Sequence, residues 1–137
     1  MTRVYLPTAP ELIDRLSIVQ LKSIFISERK ADYDAEIALI EQDINTILAE
    51  KDYRLTAQDV RAIIVLAISN RYIWENESKA RAGGSEQDAL LKTTHSINGV
   101  RATAKNRLAN AINERLDYKV DALSADLPSD MGNWRIW

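Results

Sequence analysis

The chain has 137 residues, enough for one domain with its own core and too few for two ordinary domains. Its 18 basic and 20 acidic side chains leave a formal charge of −2, which gives no overall electrostatic drive toward nucleic acid, so no nucleic-acid partner is expected. Cysteine is absent and His95 is the single histidine, which excludes disulfides, thiolate metal sites, a cysteine nucleophile and a histidine cluster and suits a cytoplasmic location.

The opening residues, MTRVYLPTAPELIDR, lack the apolar run of about 7–15 residues that a secretory signal needs. No window approaches the roughly 18 uninterrupted apolar residues of a membrane span, so no membrane insertion is expected. In TAPELIDRL, Thr8 is placed to cap a first helical turn while Glu11 reaches back toward it. Pro10 is tolerated there because its missing donor would have had no partner. A helix is therefore predicted from about Ala9. Its apolar residues, Leu12, Ile13, Leu16, Ile18, Val19, Leu21, Ile24, Phe25 and Ile26, cover much of the circumference, as in a buried helix. From Tyr33 the pattern sharpens, with Tyr33, Ile37, Ile40, Ile44, Ile47 and Leu48 inward and Asp34, Glu41, Asp43 and Glu50 outward. Spacing leaves open whether one helix runs through to about residue 50 or bends around Arg29 to Asp32.

The stretch EKDYRLTAQD reads as a connection ending in a second capping pair, Thr56 with Asp59. The apolar positions Val60, Ile63, Ile64, Ala67 and Ile68 follow, which predicts a helix from about Ala57 to Ala82. Gly83-Gly84 supplies a stop, and Ser85 with Asp88 a third start. The last segment, roughly Glu86 to Ala125, carries Ile97, Val100, Ala104, Leu108, Ala111, Ile112, Leu116, Val120 and Leu123 at spacings of three and four. Gly99 permits a bend or a close helix contact within it. A helix of about 35–40 residues would span about 50–60 Å, more than a small round domain covers. The long helices are expected to pair antiparallel as in a coiled coil or to reach a neighbouring subunit, which predicts a homo-oligomer, dimer or higher. The tail, DLPSDMGNWRIW, holds Trp134 and Trp137, whose indoles, with Ile136, are expected to pack on the bundle or on a neighbouring subunit. The whole reads as all-α: a single domain over residues 1–137, an elongated antiparallel helical bundle with an irregular aromatic tail over 126–137.

Polar residues then stand out against the apolar background. Asn70, Trp74, Glu77 and Arg81 are spaced by four, three and four, so they share one side of the third helix and prolong the line of Ile63 and Ala67. Asn98, Arg101 and Lys105 run along one face of the fourth, with Asn106, Asn110 and Asn113 beside them. Asp14 and Lys22 lie two turns apart in the most apolar part of the first helix, where Asp14 is placed to orient Arg81 or Arg101 across the bundle. One reading is ordinary pairing: Glu77 with Arg81 along the helix, and Arg101 and Lys105 with Glu75, Glu77 or acids of the first helix. The other is a polar groove in which bases and an Asn side chain hold a phosphate or carboxylate, with Arg101 suited to bidentate contact. His95 has no Asp–Ser setting and is expected in a surface or packing role. Asp14, Glu75 and Glu77 do not form the paired E-x-x-E and E-x-x-D pattern of all-helical nucleoside-triphosphate pyrophosphohydrolases. No phosphate loop or dinucleotide fingerprint occurs, and neither a metal nor a cofactor is expected.

Three separated segments, ELIDRLSIVQLK, NRYIWENESKAR and HSINGVRATAKNRL, together resemble a group of small uncharacterised all-helical proteins found beside genes for cell-surface glycan glycosyltransferases and in phages. The resemblance covers the chain through about Leu116. It maps an opening motif onto Glu11 to Lys22, a middle motif onto Trp74, Glu77 and Arg81, and a third onto Asn98, Arg101 and Lys105. Ile73, Ser78 and Gly99 stand where that pattern has Leu, an acid and Asp, so this chain has two fewer carboxylates for a metal. The resemblance implies candidate positions and a glycan or phage setting, with no reaction. The function expected is binding or assembly, with an interhelical groove holding an anionic ligand such as a nucleotide or nucleotide sugar. The alternatives are an enzyme acting on those ligands, with Glu77 or Asp14 as base and Arg101 with Lys105 on phosphate, and a structural protein of a phage virion.

Overall fold

The computed structural model describes residues 1–82 and 87–116, in which the regular elements are helices: α1 (Ala9–Phe25), a short 3-10 turn (Ser27–Arg29), α2 (Lys30–Glu50), α3 (Ala57–Ala82) and α4 (Gln87–Ile112). Capping chemistry sets two of the starts. The Thr8 hydroxyl accepts the Glu11 amide at 3.3 Å and donates to the Glu11 carboxylate at 3.1 Å. Thr56 and Asp59 cap each other's backbone amides, at 3.2 Å and 2.8 Å, and Asp59 also accepts the Tyr53 hydroxyl at 2.6 Å. That last bond pushes the Tyr53 phenol above its ordinary pKa, because ionisation would surrender the donor.

Two helices stop on a left-handed residue other than glycine. Asp52 and Asn113 take left-handed backbone, φ 48° and 61°, just past α2 and α4. Each is held by the paired bonds of a left-handed C-terminal cap: Tyr53 N to Leu48 O with Asp52 N to Ala49 O, and Glu114 N to Ala109 O with Asn113 N to Asn110 O. The expected run of the last helix to Ala125 is therefore corrected: α4 ends at Ile112, and Leu116 lies beyond it. Val120, Leu123, the Gly83-Gly84 stop, the Ser85 cap and the tail with Trp134 and Trp137 lie outside the described residues. The question left open for residues 9–50 resolves as two helices. The break falls at Ile26, whose extended backbone (φ −119°, ψ 101°) precedes the 3-10 turn.

A clasp holds that turn. The buried Ser23 hydroxyl donates to Asp34 at 2.6 Å, and the Lys30 ammonium reaches both Ser23 and Asp34. On the outer face Arg15 pairs with Glu36 at 2.8 Å. α2 packs along α1 with the face expected of it: Ile40 is buried, its five apolar companions are half-buried, and Asp34, Glu41, Asp43 and Glu50 are exposed.

α1 and α3 run in one direction, and α2 and α4 in the other. α1 touches both members of the α3–α4 hairpin, which forms the most extensive helix pairing. One apolar cluster gathers Ile13, Ala62, Leu66, Ala104 and Leu108, with Ile44, Ile63 and Val65 against it. A second joins Ile73 and Ile97, with Tyr72. Asn70 lies between Leu66 and Ile73 on α3, and Arg101 between Ile97 and Ala104 on α4, so a polar layer separates the two clusters.

The face of α3 differs from expectation. Val60, Ile64 and Ile68 are 47 %, 52 % and 47 % exposed and Ala67 is exposed, whereas Ala62, Leu66, Ser69, Asn70, Ile73 and Asn76 are buried. The segment IIVLAI is apolar on every side, so periodicity has little to select. Rotating α3 to its observed face brings Asn70 to Asp14 and sets the small Ala62 and Ser69 toward the core. Ile24 and Phe25, counted among the apolar residues of the first helix, are likewise exposed.

Leu66 is fully buried, and Leu66→Ala is expected to cost about 2–5 kcal/mol in urea unfolding. Ser69→Ala, one turn away, is expected to be neutral or stabilising, because the buried Ser69 hydroxyl has no hydrogen-bond partner among the described residues. Asp34 provides a pH test. The Ser23 hydrogen bond, helped by Lys30 and opposed by desolvation, holds its carboxyl below the ordinary 3.8. Folding thus favours the charged form: the contribution is complete above the unfolded carboxylate pKa and is lost as pH falls through the lowered folded value. Unfolding midpoints measured below about pH 4 should fall less steeply with acid in Asp34→Asn than in the parent chain.

Candidate functional site

The site is built from the polar layer upward. Asp14 faces inward because it shares the α1 face of Ile13 and Ser17, and its side chain is 9 % exposed. A carboxylate so far out of water needs partners. Asn70 Nδ2 donates to Asp14 Oδ1 at 2.8 Å, Arg101 Nε lies 3.6 Å from the same oxygen, and Lys105 Nζ lies 3.8 Å from Oδ2. Asn70 Nδ2 also donates to Ser17 Oγ at 2.6 Å, and Ser17 Oγ donates to the Asp14 carbonyl at 2.9 Å. The Asn70 carbonyl accepts Arg101 Nη1 at 3.3 Å. Both ends of the Asn70 amide are used, so it bridges the acid on α1 to the base on α4.

Above this layer a cavity of about 450 Å³ opens between the three helices. Lys22 comes from α1, Asn70, Trp74, Glu77 and Arg81 from α3, and Arg101 from α4, so six of the nine residues singled out by spacing line one wall system. The i, i+3, i+4 rows of α1 and α3 face each other here, which is why residues 52 positions apart in the chain, Lys22 and Trp74, share a hollow. Asp14 and Lys105 lie beneath in the ion network. Asn98 is half-buried one turn before Arg101 and is not among the lining residues. Apolar walls come from Ile18, Leu21, Ile26 and Ile73.

Charges in the cavity are arranged differently from those in the layer. Arg81 Nε donates to the Glu77 main-chain carbonyl at 3.4 Å, a different contact from the carboxylate pair that four-residue spacing suggested. Glu75 pairs with Arg71 at 2.8 Å, so it does not serve Arg101 or Lys105, and His95 is exposed. Among the described residues Lys22 and Glu77 make no side-chain hydrogen bond or ion pair, and no group of three or more His, Asp or Glu is placed to hold a metal ion. No described helix is long and apolar enough to cross a membrane.

Trp74 also borders a second hollow of about 500 Å³, with Phe25, Arg71, Glu75, Ser78 and Lys79. The Phe25 ring meets the indole edge-on at 5.9 Å and 69°, and the Arg71 guanidinium stacks 4.3 Å above Phe25. Sequence reasoning passed over Ser17, although its position three after Asp14 marks the same face. It also passed over Phe25 and Arg71, whose meeting depends on the break at Ile26.

Comparison with protein-family models, curated proteins and solved structures finds no match for this chain.

Asn70→Ala is expected to lower unfolding stability by about 1–3 kcal/mol, since it strips Asp14 of its shortest donor. Glu77→Gln, at an exposed position, should stay within about 0.5 kcal/mol in the same denaturant titration.

Proposed function

We propose that the protein is a helical binding module whose groove between α1, α3 and α4 holds an anionic small molecule. The observation that carries this reading is a division of charge: Asp14 is engaged beneath the cavity, while Lys22, Arg81 and Arg101 line it, with Glu77 the one lining carboxylate among the described residues. Lys22 and Arg81, beside an Arg101 that Asp14 already partners, outnumber that carboxylate and give a local positive potential that the net charge of −2 conceals. The volume lies within the range of about 300–1,000 Å³ usual for small-ligand sites. A catalytic reading has less support, because Asp14 is committed to its partners and Glu77 stands exposed.

Calorimetric titration with pyrophosphate tests the binding reading. Saturable binding that weakens with salt is expected, together with at least about a tenfold loss in Lys22→Ala/Arg81→Ala at unchanged melting temperature. A folded parent chain that binds neither pyrophosphate nor sulfate contradicts the proposal.

A separate observation favours assembly as well. Val60, Ile64 and Ile68 form an exposed stripe at four-residue spacing on α3. Antiparallel pairing with a second copy about Ile64 would cover the stripe. The homo-oligomer is proposed on this ground, since α4 is too short to support the argument from helix length. Sedimentation equilibrium should give a dimer or larger species that Ile64→Glu dissociates, and a monomer at every loading concentration contradicts it.

A further inference from the structure

We propose that the anion taken by this groove is a phosphate ester carrying a planar ring, with the phosphate among Lys22, Arg81 and Arg101 and the ring against Trp74; the proposal rests on the anion-binding reading above. The cavity is larger than a bare oxyanion needs, and its remaining walls are aliphatic, so its ligand has an apolar part as well as a charge. Three donors on three different helices or helix faces suit a phosphate, whose several oxygens accept from separate directions, better than a planar carboxylate.

Trp74 supplies the ring preference. Its indole is half-buried and borders hollows on two sides, so part of its surface is open to a ligand. It is also propped: Phe25 abuts it edge-on, and Arg71 covers Phe25 in turn, which limits the indole's rotation before anything binds. A propped indole in a cavity lined by cations is the combination that accepts a stacked base and its phosphate together. Glu77, which only accepts hydrogen bonds when ionised, faces the same cavity and is suited to sugar hydroxyls between ring and phosphate. An alkyl phosphate would use the same cations and the aliphatic walls and leave the indole surface unused, so the two ligand classes separate on Trp74 alone.

The test uses the full chain. Calorimetry compares adenosine 5′-monophosphate, uridine 5′-monophosphate, hexyl phosphate, inorganic phosphate and adenosine, first on the parent protein and then on Trp74→Leu. A Trp134→Phe/Trp137→Phe background leaves Trp74 as the sole fluorescent indole and reports whether the ring reaches it. Both nucleotides are expected to bind at least about fivefold more tightly than hexyl phosphate or inorganic phosphate and to quench Trp74, with adenosine weakest. Trp74→Leu should erase the nucleotide advantage and leave inorganic phosphate binding unchanged. Equal affinity for hexyl phosphate and the nucleotides, or an advantage that survives Trp74→Leu, overturns the ring assignment while the phosphate groove stands. Absence of binding by every phosphate overturns the groove itself.

Discussion

A buried carboxylate governs this bundle. Asp14 sits in the most apolar helix, and the cost of holding its charge away from water has to be met by donors delivered from elsewhere in the chain. Asn70 of α3 and Arg101 and Lys105 of α4 meet that demand, and each comes from the stretch between or beside the two apolar clusters. Apolar contact alone tolerates slippage of one helix along another. A carboxylate that must find an amide and two cations does not, so the layer fixes both the rotation of α3 and the register of α1 on the hairpin.

The same layer shapes the cavity above it. Because Asn70 occupies the wall of the hollow and the Asp14 bridge at once, the floor of the groove is held by side chains whose hydrogen bonds are already made. Arg101 is anchored from below through Nε and Nη1 yet still lines the cavity, which presents its guanidinium with little freedom left to lose. Lys22 and Arg81 add charge that the layer does not neutralise. Paired and unpaired charge thus divide along α1 within two turns, from Asp14 to Lys22.

Much of the fold was legible in sequence where a local rule has one outcome. Thr8 with Glu11 and Thr56 with Asp59 start helices as their spacing requires, and the α2 stripe from Tyr33 to Leu48 turns inward, with Leu39 outside it and exposed. The end of α4 was hidden because Asn113 in left-handed backbone marks a stop more weakly than glycine does. The face of α3 was hidden because Ile63 to Ile68 is apolar all round, and the choice is made by a hydrogen bond to Asp14 across 56 positions. For the site, spacing placed Asn70, Trp74, Glu77 and Arg81 on one side of a helix, as they lie around the cavity. It had no means to show that Lys105 is drawn down to Asp14 while Lys22 stays in the groove, since that depends on the rotation of one helix against another.

The most direct test is a double-mutant cycle on Asp14 and Asn70, with Asp14→Leu, Asn70→Leu and the pair compared by urea unfolding. Each single change takes one partner from a buried polar group, whereas the pair removes both members of the bond. The account predicts that the double variant is more stable than the sum of the two losses implies, by about 1–3 kcal/mol. Strict additivity would contradict it, because Asp14 and Asn70 would then be neighbours that do not depend on one another.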